Sequence, residues 1–154
     1  MADALIFGDR EIAFLKELAH QRVEFMIVGL AAAALQGAPV VTQGIDLWFR
    51  DLSDPGVQRA LKKLRGAYVP PTMGNPPTFA GGGVELFDVV VHMHGLGAFD
   101  KEREHAIKVP LGREQVLVLD LERIIVSKKA AGRQKDKLVL PVLSDALKAI
   151  KDRD

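Results

Sequence analysis

The chain has no cysteine. That excludes a disulfide framework, thiolate zinc sites and a cysteine nucleophile, and it predicts a reducing compartment such as the cytoplasm. It also lacks an excess of either charge. Twenty-one basic side chains meet 20 acidic ones, leaving a formal charge of +1. Nothing in that balance drives the protein toward nucleic acid or an anionic membrane. Long apolar runs are missing. The longest uncharged stretch, residues 25–45, is interrupted by Gly29, Gln36, Gly37, Pro39, Thr42, Gln43 and Gly44. A membrane span needs about 20 mostly apolar residues, so this stretch is better read as a buried strand, a helix and a turn. The first seven residues carry an Asp and no basic segment, which is not the pattern of a signal peptide. No repeat of fixed period and no low-complexity segment is present.

What is there is 154 residues with 48% hydrophobic and 27% charged side chains, near globular averages and the size of one domain. Helical and strand signals alternate. Asp9 is placed to cap a helix over 10–21, with Ile12, Leu15, Leu18 and Ala19 on one side. Residues 24–29 form a short apolar strand. An alanine-rich helix follows over 30–36, ended by Gly37. A second strand spans 45–49. Asp54 and Pro55 start a helix that runs to about 65. Residues 67–83 hold four prolines and Gly81, Gly82 and Gly83, and read as a loop with a short strand at 67–69. The strongest strand is expected over 84–92. Two shorter strands follow at 105–110 and 115–119. Asp120 caps a helix to Ala131, ended by Gly132, and a last helix over 135–151 is expected to break at Pro141. This mixture, without strict βαβ repetition, predicts an α+β domain with a mixed sheet flanked by helices and C-terminal helices, residues 1–154 forming one domain.

The segments that carry chemistry are Ile27-Val28-Gly29-Leu30, then Gly37, then Thr42-Gln43-Gly44-Ile45-Asp46-Leu47. Asp88 follows within Leu86-Phe87-Asp88-Val89-Val90, and Lys128 precedes Ala131-Gly132-Arg133-Gln134-Lys135-Asp136. Their order resembles the nucleotidyltransferase superfamily, whose fold is shared with DNA polymerase β. The resemblance is strongest to its small bacterial branch of minimal nucleotidyltransferases and abortive-infection proteins. That branch shows an apolar strand, Gly-Gly or Gly-Ser, a short helix and Asp-x-Asp. A third carboxylate and a late Ala-Gly-Arg-x-Lys-Asp follow. The likeness extends over about residues 24–143.

It implies metal-dependent transfer of a nucleoside monophosphate from an NTP. Asp46 and Asp88 would be the catalytic, metal-holding carboxylates. Gly29, Leu30, Thr42, Lys128 and Arg133 would meet the nucleotide. Residues two apart on a strand share a face, roughly 6.6 Å apart, so carboxylates at that spacing can hold one or two Mg²⁺ ions together with phosphate oxygens. A glycine at the strand-to-helix turn lets backbone approach the phosphates.

Four positions depart from the pattern. Gly44 stands where the first Asp belongs, Leu30 where a second small residue belongs, Val40 where many relatives have Arg, and Val139 where a late Asp belongs. With Gly44 in place, activity is expected to be weak or lost, the chain being a pseudoenzyme. The alternative is a non-catalytic module binding a nucleotide, an RNA or a protein partner, such as a toxin–antitoxin component. Apolar residues exposed on the first helix would permit a homodimer.

Other residues have plainer readings beside functional ones. Asp88 inside an apolar strand needs a partner if buried, and Lys128 or Arg133 can supply it, leaving the carboxylates as relics. His92 and His94 form a pair that alone lacks two ligands for a closed zinc site. It reads as a strand end near solvent, with His92 about 13 Å beyond Asp88 on an extended strand. Gly81 to Gly83 reads as a hairpin turn rather than a phosphate loop. Lys128, Lys129, Arg133 and Lys135 either contact phosphates or RNA, or complement a helix dipole. Trp48 packs a base or the core. Glu85, three residues before Asp88, is expected on the opposite face.

Overall fold

A computed structural model describes residues 7–153. The reading of the first seven residues as no signal peptide lies, but for Phe7, outside them. The elements in order are α1 (Asp9–His20), β1 (Phe25–Val28), α2 (Gly29–Leu35), β2 (Ile45–Phe49), α3 (Pro55–Lys63) and β3 (Ala67–Val69). They continue with β4 (Thr78–Ala80), β5 (Phe87–Val90), α4 (Phe99–Glu102), a 3₁₀ turn (Arg103–His105), β6 (Ala106–Leu111), β7 (Glu114–Leu119), α5 (Leu121–Ala131) and α6 (Gln134–Arg153). One mixed sheet has the order β3-β4-β5-β2-β1-β7-β6. β2 runs antiparallel to β1 and parallel to β5, and β1 runs parallel to β7. The α+β expectation holds.

The capping signals act where the sequence put them. Asp54 accepts from the Gly56 N–H at 2.8 Å and Asp120 from the Arg123 N–H at 2.9 Å. Gly132 closes α5 at φ +61°. Gly37, at φ +100°, follows α2. α1 differs in detail: Gly8 is its cap residue, and Glu11 accepts from the Gly8 N–H at 2.9 Å, so Asp9 lies inside the first turn.

The apolar side of α1 is turned to the sheet. Phe14, Leu15 and Leu18 are fully buried, and the Phe14 ring meets those of Phe79 and Phe87 at 5.6 and 5.1 Å. The exposed apolar surface expected on that helix is therefore not there. Trp48 is buried edge-on against Phe99, 5.8 Å between centroids, which settles it in the core.

Three expectations are corrected. β5 has four residues rather than nine. A turn with the Phe87 N–H on the Val84 carbonyl at 3.2 Å precedes it, and the chain bends at Val91. α6 runs through Pro141 without a break. The proline removes the bond to the Lys137 carbonyl, but both residues are exposed and water can replace it. Finally, β4 lies in the stretch read as loop, and α4 in one to which no element was assigned. Three-residue β4 is held from both sides by β3 and β5, a support no local pattern reveals.

Gly81 to Gly83, all at positive φ, link β4 to the antiparallel β5. A Cβ on Gly82 would overlap the Leu64 carbonyl. Arg10 fastens this turn, donating to the Gly82 and Leu64 carbonyls.

Beyond β5, the buried Glu102 accepts from both Arg123 (2.8 and 2.9 Å) and the Gly97 N–H (2.8 Å). The Arg123 guanidinium holds this carboxyl below the usual range. The pair ties the 91–98 loop to α5. Glu102→Gln leaves the half-buried Arg123 cation half-paired, and is expected to cost about 2 kcal/mol, read as a lower urea midpoint.

Candidate functional site

Three strands bring one row of side chains together. Val28 is opposite Asp46 across β1 and β2, and Asp46 is opposite Asp88 across β2 and β5. Alternation sends both carboxylates to one face, at a cleft between the sheet and the start of α6. Asp46 is half-buried and Asp88 exposed. Asp88 is therefore not the buried charge that was expected. Glu85 lies outside the strand, exposed, accepting from the Gly83 N–H at 3.2 Å, and does not join the pair.

Gly29 sits at φ +67°, and a Cβ there would overlap Asp46 Oδ2. The glycine is required twice, for its backbone angle and for the carboxylate above it. Gly44 precedes β2. A Cβ at 44 would lie 2.7 Å from Asp88 Oδ2, so the Asp88 carboxylate fills the space of the missing side chain. Thr42 donates to the Gly44 carbonyl at 2.6 Å and fixes the turn. A cavity of about 170 Å³ is lined by Leu30, Thr42, Gly44, Asp46, Asp88 and Lys128, with Lys135, Asp136 and Val139 beyond. Leu30 thus stands in the cavity wall, while Arg133 is not in it. α2 has only seven residues, so its dipole adds little.

Lys128 and Arg133 form no ion pair with either carboxylate, although their charges, with that of Lys135, partly offset the upward shift of the Asp46 carboxyl. Lys128 and Arg133 are both held by Asp136, which is 1% exposed. Arg133 donates from Nε at 2.7 Å and Nη2 at 3.2 Å, and from its backbone N–H at 3.1 Å; Lys128 Nζ lies 3.3 Å away. Asp136 is three residues past the cap of α6, and accepts the N–H of that cap residue as an acidic side chain there should. The Arg133 hydrogen bond is the main cause that lowers its carboxyl to about 2. Sequence reasoning placed Asp136 in a motif without seeing its role. The signal was there, an acid three residues into a helix, beside Arg and Lys.

Among the described residues neither Asp46 nor Asp88 is in an ion pair, so the relic reading, with the carboxylates held by Lys128 or Arg133, is not what the structure has. The Asp46 carboxyl is held above its usual range, first by burial and then by the negative charge of Asp88. Such a pair fits one hard cation, whose remaining positions go to phosphate oxygens and water. Among the described residues no group of three or more His, Asp or Glu is placed to hold a metal ion.

His92 and His94 are not carried 13 Å up a strand. The bend after Val90 brings them to a second cavity, which Asp46, Lys128 and Arg133 also line. No helix among the described residues is long and apolar enough to cross a membrane.

No protein-family model matches the chain, and no curated protein matches it in sequence. A solved structure does match in shape. It is the aminoglycoside nucleotidyltransferase ANT(2'')-Ia in complex with adenylyl-2''-tobramycin, with a TM-score of 0.58 and 16% identity. The match covers 92% of this chain and 91% of that one. With the sheet order and the flanking helices, this likeness establishes that the chain has a nucleotidyltransferase-like fold.

Proposed function

We propose that the chain, as one domain over residues 1–154, binds a nucleoside triphosphate with a single Mg²⁺ at the Asp46–Asp88 pair, and that its transfer of nucleoside monophosphate is weak or lost. The observation that carries this reading is the pair itself. Two carboxylates face each other across parallel strands with no ion-pair partner among the described residues, while Lys128 and Arg133 are bound by Asp136. A raised carboxyl beside a like charge is a site short of positive charge.

Asp46 and Asp88 hold the cation. Gly29 gives Asp46 its room. Thr42 sets the turn that leads into Asp46, and Leu30 forms an apolar wall against which only part of a ligand can lie. Lys128 and Arg133, fixed by Asp136, keep N–H donors for phosphate oxygens. Bound there, the metal would screen the phosphate charge and polarise the phosphorus centre. Glycine at 44 supplies no side chain, so the third carboxylate that a second ion would need is missing, and the Asp88 carboxylate lies in its space. That favours binding over transfer.

Calorimetric titration with ATP tests this. Binding is expected in Mg²⁺ and is expected to weaken at least about tenfold in Asp46→Asn, Asp88→Asn or EDTA, the loss of about 1.4 kcal/mol or more. Equal affinity in all four would contradict it.

A further inference from the structure

The second cavity, about 250 Å³, shares Asp46 and Lys128 with the first. The two differ in chemistry. The first is lined by Asp46, Asp88 and Asp136 together with Lys128 and Lys135. In the second, Asp46 is the one carboxylate among the described residues, facing Lys128, Arg133, His92 and His94.

A lysine carries three N–H donors and an arginine five. Asp136 engages one Lys128 nitrogen and two Arg133 nitrogens, so donors remain on both. The two imidazoles, edge-to-face with centroids 5.8 Å apart, have no hydrogen bond to the described residues. Each adds at least one more donor.

This wall is built into the fold. Gly95, at φ +73°, rests on α5, where an added Cβ would lie 2.5 Å from that of Ala130. The Gly97 N–H is held by buried Glu102. The loop that carries the histidines is thereby fixed beside the helix that carries Lys128.

A cavity rich in donors and poor in acceptors is complementary to an oxyanion. We propose that it is an oxyanion subsite, in which His92 and His94 act with Lys128 and Arg133 on a phosphate or carboxylate of the ligand. It extends the nucleotide reading of the cleft without resting on the metal. The oxyanion comes either from the nucleotide or from an acidic acceptor.

The test is a titration of the protein in EDTA with pyrophosphate and, separately, with succinate. It is followed by calorimetry and by the imidazole NMR signals. Saturable shifts of both rings are expected with at least one of them. Pyrophosphate points to the nucleotide as source, succinate alone to an acidic acceptor. The His92→Asn/His94→Asn variant is expected to bind about tenfold more weakly. Both rings are exposed, so its melting should be native. Asp46→Asn, which removes the opposing charge, should bind more tightly. No ring shift with either ligand, or native affinity in the double variant, would overturn the proposal. Loss of Mg²⁺-dependent ATP binding with pyrophosphate binding intact would instead overturn the metal reading alone.

Discussion

Asp136→Asn is expected to lower stability by about 3 kcal/mol at neutral pH. Removing one partner of a buried pair costs about 3–5 kcal/mol, because the remaining charges stay desolvated. The lower end applies here: the Arg133 side chain is 51% exposed and Lys128 18%, so water can relieve part of the loss. The variant also weakens the start of α6 by removing the acceptor for the Arg133 N–H. The pH dependence follows from the lowered carboxyl. Its folded value, about 2, lies below the ordinary 3.8. The stabilisation is therefore present above about pH 4 and lost as pH falls toward 2, a change of about 2 kcal/mol. Urea midpoints at pH 7 and pH 3 check both statements. The gap between native and variant should narrow at the lower pH. A variant as stable as the native protein at pH 7 would show that Asp136 does not anchor the two cations.

Gly44→Asp is expected to act in opposite directions with and without metal. The new Cβ meets the tip of the exposed Asp88 carboxylate at 2.7 Å and the Leu86 carbonyl at 3.3 Å. The first can rotate away and the second is tight but not overlapping. Without metal, crowding and a third negative charge should cost about 1–3 kcal/mol. With Mg²⁺ or Mn²⁺ the same three carboxylates become a ligand set, and the melting temperature should rise well above any rise in the native protein. Transfer from α-labelled NTP to the protein, tRNA or cell extract should increase at least about tenfold over native, since a metal ligand at this point stabilises charge at the reacting phosphorus. Destabilisation without recovery in metal would count against the cleft as a metal site.

The sequence made the element order legible because local chemistry wrote it: Asp54, Asp120, Gly37 and Gly132 punctuate helices that tertiary packing then keeps. It misled where a local rule met an exposed or supported position. Pro141 stays inside α6 since the freed carbonyl faces water. Val84 to Leu86 have strand composition, yet Val84 is buried ahead of the strand and its carbonyl closes a turn. The Asp46–Asp88 row could be anticipated from alternation and motif order. Its neighbours were legible only in part. The bend after Val90 redirects His92 and His94 into the cleft, which depends on segments far apart in the chain. Asp136 takes up Arg133 and Lys128 from three and eight residues away, a local contact whose capping signal the sequence carries.

The most direct test of the central claim is a crystal of the native chain grown with a non-hydrolysable ATP analogue and Mn²⁺, measured at the manganese edge. One anomalous peak between the Asp46 and Asp88 carboxylates, with phosphate oxygens on the same ion, is the expected result. Two peaks, or a bound nucleotide with no peak at that pair, would contradict it.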